Sequence, residues 1–137
     1  GTVDVLVRGG DAPAKALAAD ELARRRRQLE TTDDTLRHAL ADQRGDKATT
    51  WLGALRPDAR ALRAGHAPAT GKEAHKLVAH DAPGIGSGPR RALDVAASGD
   101  LGYTIGGDAS CAACGTYYRI WRWQDGAWRV LVDLARR

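Results

Sequence analysis

The chain has 137 residues, 43% of them hydrophobic, enough for a single domain with its own core (residues 1–137). It contains no run of about 18 or more apolar residues, so no helical membrane span is expected. The seventeen arginines and four lysines give a net charge of +4, but they alternate with apolar positions, so an anionic partner is permitted without being required. Phe and Met are absent, which places the bulky packing on Leu, Val and Trp.

Thr2 to Arg8 reads as a short edge strand or tail, ended by Gly9-Gly10-Asp11. A helix is predicted from Ala12, with Pro13 in its first turn and few breakers before Gly45. Leu22, Leu29, Leu36 and Leu40 form its apolar stripe. Thr31-Thr32-Asp33-Asp34 are poor helix formers and good caps, so one long helix or a kinked pair is expected. The run Arg24 to Arg27 reads as a solvated face beside Glu21 and Glu30 rather than a nucleic-acid patch. Asp46 is expected to cap a second helix carrying Trp51, Leu52 and Leu55, closed by Pro57. Ala59 to Leu62 reads as a short strand and Arg63 to Thr70 as a loop. A third helix is predicted over Lys72 to His80, with Ala74, Leu77 and Val78 turned inward. Residues 12–80 are thus mainly helical on this reading. Pro83 to Pro89 has no period and reads as a connector, or as a flap over a cavity.

Residues 92–135 read as an antiparallel sheet of two hairpins, one turning at Ser98-Gly99-Asp100-Leu101 and one at Gln124-Asp125-Gly126-Ala127. A two-residue Asp125-Gly126 turn pairs Trp123 with Trp128, Trp121 with Val130, Arg119 with Val132 and Tyr117 with Leu134. These residues share the face expected to meet the helices, with Arg119 its one charged member. Tyr118, Ile120, Arg122, Arg129, Leu131 and Asp133 fall on the other face. In the first hairpin, Asp94 is expected opposite Ile105, beside Tyr103.

The order of helices, small-residue loop and sheet, ending in Trp121-x-Trp123-x-Asp125-Gly126-x-Trp128, resembles the nuclear transport factor 2-like superfamily. Ser98 to Thr104, Gly115-Thr116-Tyr117 and Trp128-Arg129-Val130 with Asp133 carry the likeness, together with Gly45, Trp51, Leu55, Gly65 and Gly71 upstream. That superfamily includes ketosteroid isomerases and SnoaL-like polyketide cyclases, and the chain looks most like a bacterial branch of unassigned function. The resemblance implies an α+β cone-shaped domain, with N-terminal helices packed in a strongly curved antiparallel sheet. It also implies a small-molecule ligand in the cone, a homodimer through the outer sheet face, and a bacterial protein, exported or cytoplasmic. It does not imply one chemistry, because the superfamily reuses one cavity for many purposes.

Three readings of that cavity follow. The leading one is binding of an apolar or aromatic ligand with an anionic group by Arg119, Tyr117, Trp121, Trp123 and Trp51. A guanidinium on an apolar face must be paired, stacked on an aromatic ring or opened to a cavity, the alternative being a rim position beside the tryptophans. In a pocket, Arg119 would meet the anionic group, and its replacement by Leu would then leave folding intact. The second reading is a cofactor-free isomerase, cyclase or dehydratase, with Tyr103 as donor and Asp94 as base. The third is a dimerising interaction module with a filled core. His38, His66, His75 and His80 have no metal-ligand spacing, and Cys111-Ala112-Ala113-Cys114 reads as a disulfide clip or a pair of reduced thiols. No cofactor, metal, nucleic-acid or membrane partner is expected.

Overall fold

The computed structural model describes residues 16–41, 53–81, 85–107 and 115–136. Helix α1 spans Ala19–Ala41 and helix α2 spans Lys72–Ala79. The strands are β1 (Leu55–Arg63), β2 (Ala69–Thr70), β3 (Arg90–Val95), β4 (Leu101–Gly107), β5 (Thr116–Gln124) and β6 (Ala127–Arg136). The Thr2 to Arg8 strand, the Asp46 cap, Trp51, Leu52 and both cysteines lie outside the described residues.

α1 starts later than its pattern suggests, because residues 16–18 are not helical and the Leu17 N–H bonds the Ala97 carbonyl instead. It then runs unbroken through Thr31 to Asp34. The Thr32 and Thr35 hydroxyls donate to carbonyls one turn back, and Asp33 and Asp34 are drawn to partners on other elements. Leu29, Leu36 and Leu40 are buried against the sheet and Leu22 packs at their margin.

The six strands form one curved sheet ordered β2-β1-β6-β5-β4-β3. It is not wholly antiparallel as expected, because β1 lies parallel to β6. β1 is also longer than the Ala59 to Leu62 expectation, and it takes in Leu55, a residue that the sequence pattern assigns to a helix. Pro57 falls inside it, at an irregularity between Leu55 and Arg60 where no ladder bond to β6 is required. α1 packs on the face that carries Trp121, Trp128 and Val130, while α2 buries Ala74 and Val78 over β1 and β2.

The second hairpin turns at Asp125 (φ 54°) and Gly126 (φ 78°), the paired positive φ values of a type I′ turn. Its pairing follows the sequence expectation as far as Trp121 opposite Val130. Beyond that point Leu131 is an extra residue, and the ladder resumes with Ile120 opposite Val132. The same residue is skipped on the other edge of β6, where Leu55 faces Val130 and Arg60 faces Val132. There the extra residues belong to β1, which advances from Leu55 to Arg60 while β6 advances from Val130 to Val132, so the Leu131 bulge re-registers β6 against β5 alone. It places Arg119 opposite Asp133 rather than Val132, and Tyr117 opposite Ala135 rather than Leu134. Asp133 thereby turns to the buried face, reversing its expected placement, and Leu134 turns outward.

Candidate functional site

The bulge decides the chemistry of the interior. On β5, Tyr117, Arg119 and Trp121 alternate inward, and all three are buried. Facing them are Asp133 from β6 and Asp33 from α1, both fully buried. Arg119 donates from Nε to Asp133 (3.2 Å) and from Nη1 to Asp33 (3.1 Å), and its guanidinium carbon sits 4.0 Å from the Tyr117 ring centroid. Its Nη2 donates to the Gly86 carbonyl at 2.6 Å. Arg119 is thus both paired and stacked, and it does not lie at the rim.

Each carboxylate is tied further. Asp33 accepts from Thr104 Oγ1 (3.1 Å), the Tyr117 hydroxyl (3.3 Å) and Arg90 Nη1 (3.2 Å). The Trp121 indole N–H donates in turn to Thr104 Oγ1 at 2.9 Å. Asp133 accepts from Arg63, which also forms a two-point pair with Asp81 (2.8 Å on each side). Although burial alone would lower the Arg63 pKa, its bonds and proximity to Asp81 and Asp133 raise it. Arg90 shows the same balance, with Asp34 and Asp33 outweighing burial. Tyr117 is shifted upward, first by burial and then by the Asp33 charge. Among the described residues, Asp33, Asp34, Asp81, Asp133 and Glu30 thus link Arg37, Arg63, Arg90 and Arg119 into one ion-pair network that runs from the interior to the surface.

Two glycines make the arrangement possible. Gly86 has φ +82°, and a Cβ there would lie 2.5 Å from Arg119 Nη2. A Cβ on Gly106 would fall 2.4 to 2.6 Å from the Tyr117 ring, which lies across that backbone.

No protein-family model matches the sequence, and no protein of curated function matches it significantly. Solved structures do match in shape. An NTF2-like protein of unknown function from Pseudomonas putida has a TM-score of 0.59 at 21% identity, over 82% of this chain and 86% of that one. A DUF3225-family protein of unknown function from Pectobacterium atrosepticum has 0.61 at 15%, over 88% and 97%. A protein provisionally assigned as a scytalone dehydratase, from Novosphingobium aromaticivorans, has 0.58 at 17%, over 87% of each chain.

The chain has the nuclear transport factor 2-like fold. Within this fold, the residues expected at the site separate into two groups. Arg119, Tyr117 and Trp121 meet in the interior. Trp123 stands apart near the hairpin tip, half-buried, edge-on to Trp128 and under Arg25. Trp51 lies outside the described residues. Tyr103 and Asp94 do not form a donor and base in a cavity. They are direct cross-strand neighbours, which corrects the Asp94–Ile105 pairing. Asp94 is exposed and bound to Arg26 at 2.7 Å, and Tyr103 stacks on Tyr118 of the outer face with centroids 6.3 Å apart. His75 bonds the Arg56 carbonyl, and among the described residues no group of three or more metal-ligating side chains occurs.

Asp33 was missed as a site residue, although the sequence carries a signal for it. Leu29, Asp33, Leu36 and Leu40 sit at helical spacing on one face, so Asp33 is a carboxylate written into an apolar stripe. Such a residue must find buried partners. Nothing local marked Asp133, whose inward turn depends on the Leu131 bulge.

Proposed function

We propose that the domain binds a small, mainly apolar molecule whose oxygen acceptor takes the place of the Gly86 carbonyl on Arg119. The observation that carries this reading is the uneven set of Arg119 partners. Among the described residues, two of its hydrogen-bond partners are buried carboxylates, whose removal would strand charge, and another is a neutral carbonyl in the loop Ile85 to Pro89. A ligand oxygen can replace a carbonyl at that position with no change in buried charge. Because Asp33 and Asp133 flank the same guanidinium, a ketone, amide or phenol oxygen suits the position better than a full carboxylate. This narrows the anionic ligand expected from sequence. The apolar walls next to Arg119 include Leu40, which lies beside Gly86, and the Tyr117 ring.

A reaction is supported less well. Asp33 is already engaged by four donors, so an isomerase, cyclase or dehydratase would draw on Arg119 and Tyr117 to steady a developing oxyanion. The provisional dehydratase assignment of one fold neighbour supports ligand handling only by analogy. A homodimer through the outer face belongs to the same reading. Tyr118 and Leu134 face each other across β5 and β6 there and are 36% and 39% exposed, high for large apolar side chains.

The test is a tryptophan-fluorescence titration with 2-acetylnaphthalene and 2-naphthoate, on wild type and Gly86→Ala. The added methyl beside Nη2 should weaken ketone binding by at least about fivefold, while any quenching by naphthoate should be the same in both proteins. If neither compound binds at the interior, the filled-core interaction module becomes the better account.

A further inference from the structure

The run Arg24 to Arg27 looks uniform in sequence, but the fold uses its members differently. Arg24 pairs with Glu21 at 2.8 Å. Arg25 reaches the Gly99 carbonyl and covers one side of Trp123, 4.8 Å from its centroid. Arg26 binds Asp94 and the Leu93 carbonyl. Arg27 alone of the four has no partner among the described residues. Its nearest acidic neighbours on α1 are committed elsewhere, Glu21 to Arg24 and Arg25, and Glu30 to Arg90.

Arg27 opens onto a groove of about 440 Å³ between α1 and the tip of the β5–β6 hairpin. One wall is the α1 stripe Arg24, Arg27, Gln28 and Thr31, at helical spacing, and the other is Trp123 and Trp128. The Gln28 amide and the Thr31 hydroxyl also have no partner among the described residues. The Trp128 N–H is already spent on the Arg25 carbonyl, so the tryptophan wall is apolar toward the groove. The volume lies within the range of small-molecule sites, which run from roughly 300 to 1,000 Å³. An aromatic plane on one side and an uncompensated guanidinium with two neutral hydrogen-bonding groups on the other form an amphipathic slot.

We infer that this groove is a second ligand site, separate from the Arg119 interior, for a planar aromatic carboxylate. The ring lies against Trp123 and the carboxylate meets Arg27, with Gln28 and Thr31 as further donors. The pairing is complementary in charge as well as in shape. Arg27 has no partner among the described residues, whereas Arg119 in the interior is paired with Asp33 and Asp133. A single free guanidinium beside two indoles fits a compact monoanion. It offers little to a nucleic-acid backbone, which needs several phosphate contacts in a row.

The experiment is a titration of ¹⁵N-labelled protein with 2-naphthoate and, separately, with the uncharged 2-naphthalenemethanol, following the Trp123 indole resonance. Naphthoate should shift it saturably and more tightly than the alcohol, and salt should weaken the binding. Arg27→Gln, at an exposed position, should keep the wild-type urea midpoint and weaken naphthoate by about fivefold, the scale of one partly solvated ion pair. It should leave alcohol binding unchanged. Gly86→Ala should leave naphthoate binding unchanged, which separates this site from the interior one. No saturable shift, equal naphthoate binding by Arg27→Gln and wild type, loss of naphthoate binding in Gly86→Ala, or a Trp123 response to a single-stranded oligonucleotide in its place would each overturn the assignment.

Discussion

Replacing Arg119 by Met removes one cation from between two buried carboxylates, and the structure sets the size of the effect. The change deletes the bonds to Asp133, Asp33 and the Gly86 carbonyl and the stacking on Tyr117. Breaking a buried ion pair from one side costs about 3 to 5 kcal/mol, because the other charge is stranded. Here both carboxylates keep other partners, Asp33 with Arg90, Thr104 and Tyr117, and Asp133 with Arg63. The expected loss is therefore at the lower end, about 3 kcal/mol. This reverses the expectation from sequence that the residue could be made apolar without harm. Urea unfolding at neutral pH, followed by tryptophan emission, measures it. Asp133→Asn should also destabilise, and the double variant should be less unstable than the two singles combined by at least about 1 kcal/mol, since the pair is removed together. A loss under about 1 kcal/mol for Arg119→Met, or strict additivity, would refute the buried network.

Three other outcomes are expected. The folded state holds the Tyr117 proton more tightly than the unfolded chain, so this contribution is complete below the ordinary tyrosine value of about 10 and is lost as pH rises through the higher folded value. Tyr117→Phe should accordingly lose about 1 kcal/mol at neutral pH through its Asp33 bond yet show a shallower alkaline decline, as read by pH-dependent urea melts. Gly106→Ala should destabilise by about 1 to 3 kcal/mol, because its Cβ would overlap the Tyr117 ring, and thermal melts would show it. Tyr118→Glu should turn a homodimer into a folded monomer in sedimentation experiments, and a wild-type monomer at micromolar concentration would remove the outer-face interface.

The sequence announced the hairpin tip clearly, because Asp125-Gly126 supplies the two positive φ values such a turn requires. It also marked Arg119 as an inward charge, since the extra residue falls on β6 and leaves the alternation of Tyr117, Arg119 and Trp121 along β5 intact. The partner of Arg119 was hidden by the next residue of β6. Leu131 is neither Gly nor a turn former, so nothing in its residue type marks the bulge that re-registers β6 against β5. The parallel β1–β6 pair was equally silent, since pairing across some seventy residues leaves no local pattern. Asp33 lay in plain view but was read by helix propensity. Its role is set by Arg119, Arg90 and Thr104, which reach it from three strands far along the chain.

In the proposed complex, Arg119 offers its Nη2 to a ligand oxygen in place of the Gly86 carbonyl. Guanidinium ¹⁵N spectra test this most directly, with the Arg119 signal assigned by its absence from an Arg119→Lys variant. On titration with 2-acetylnaphthalene, the Arg119 resonance should move saturably, with the same midpoint as the tryptophan quenching. An Arg119 signal that stays fixed while quenching saturates would place the ligand elsewhere and contradict the account.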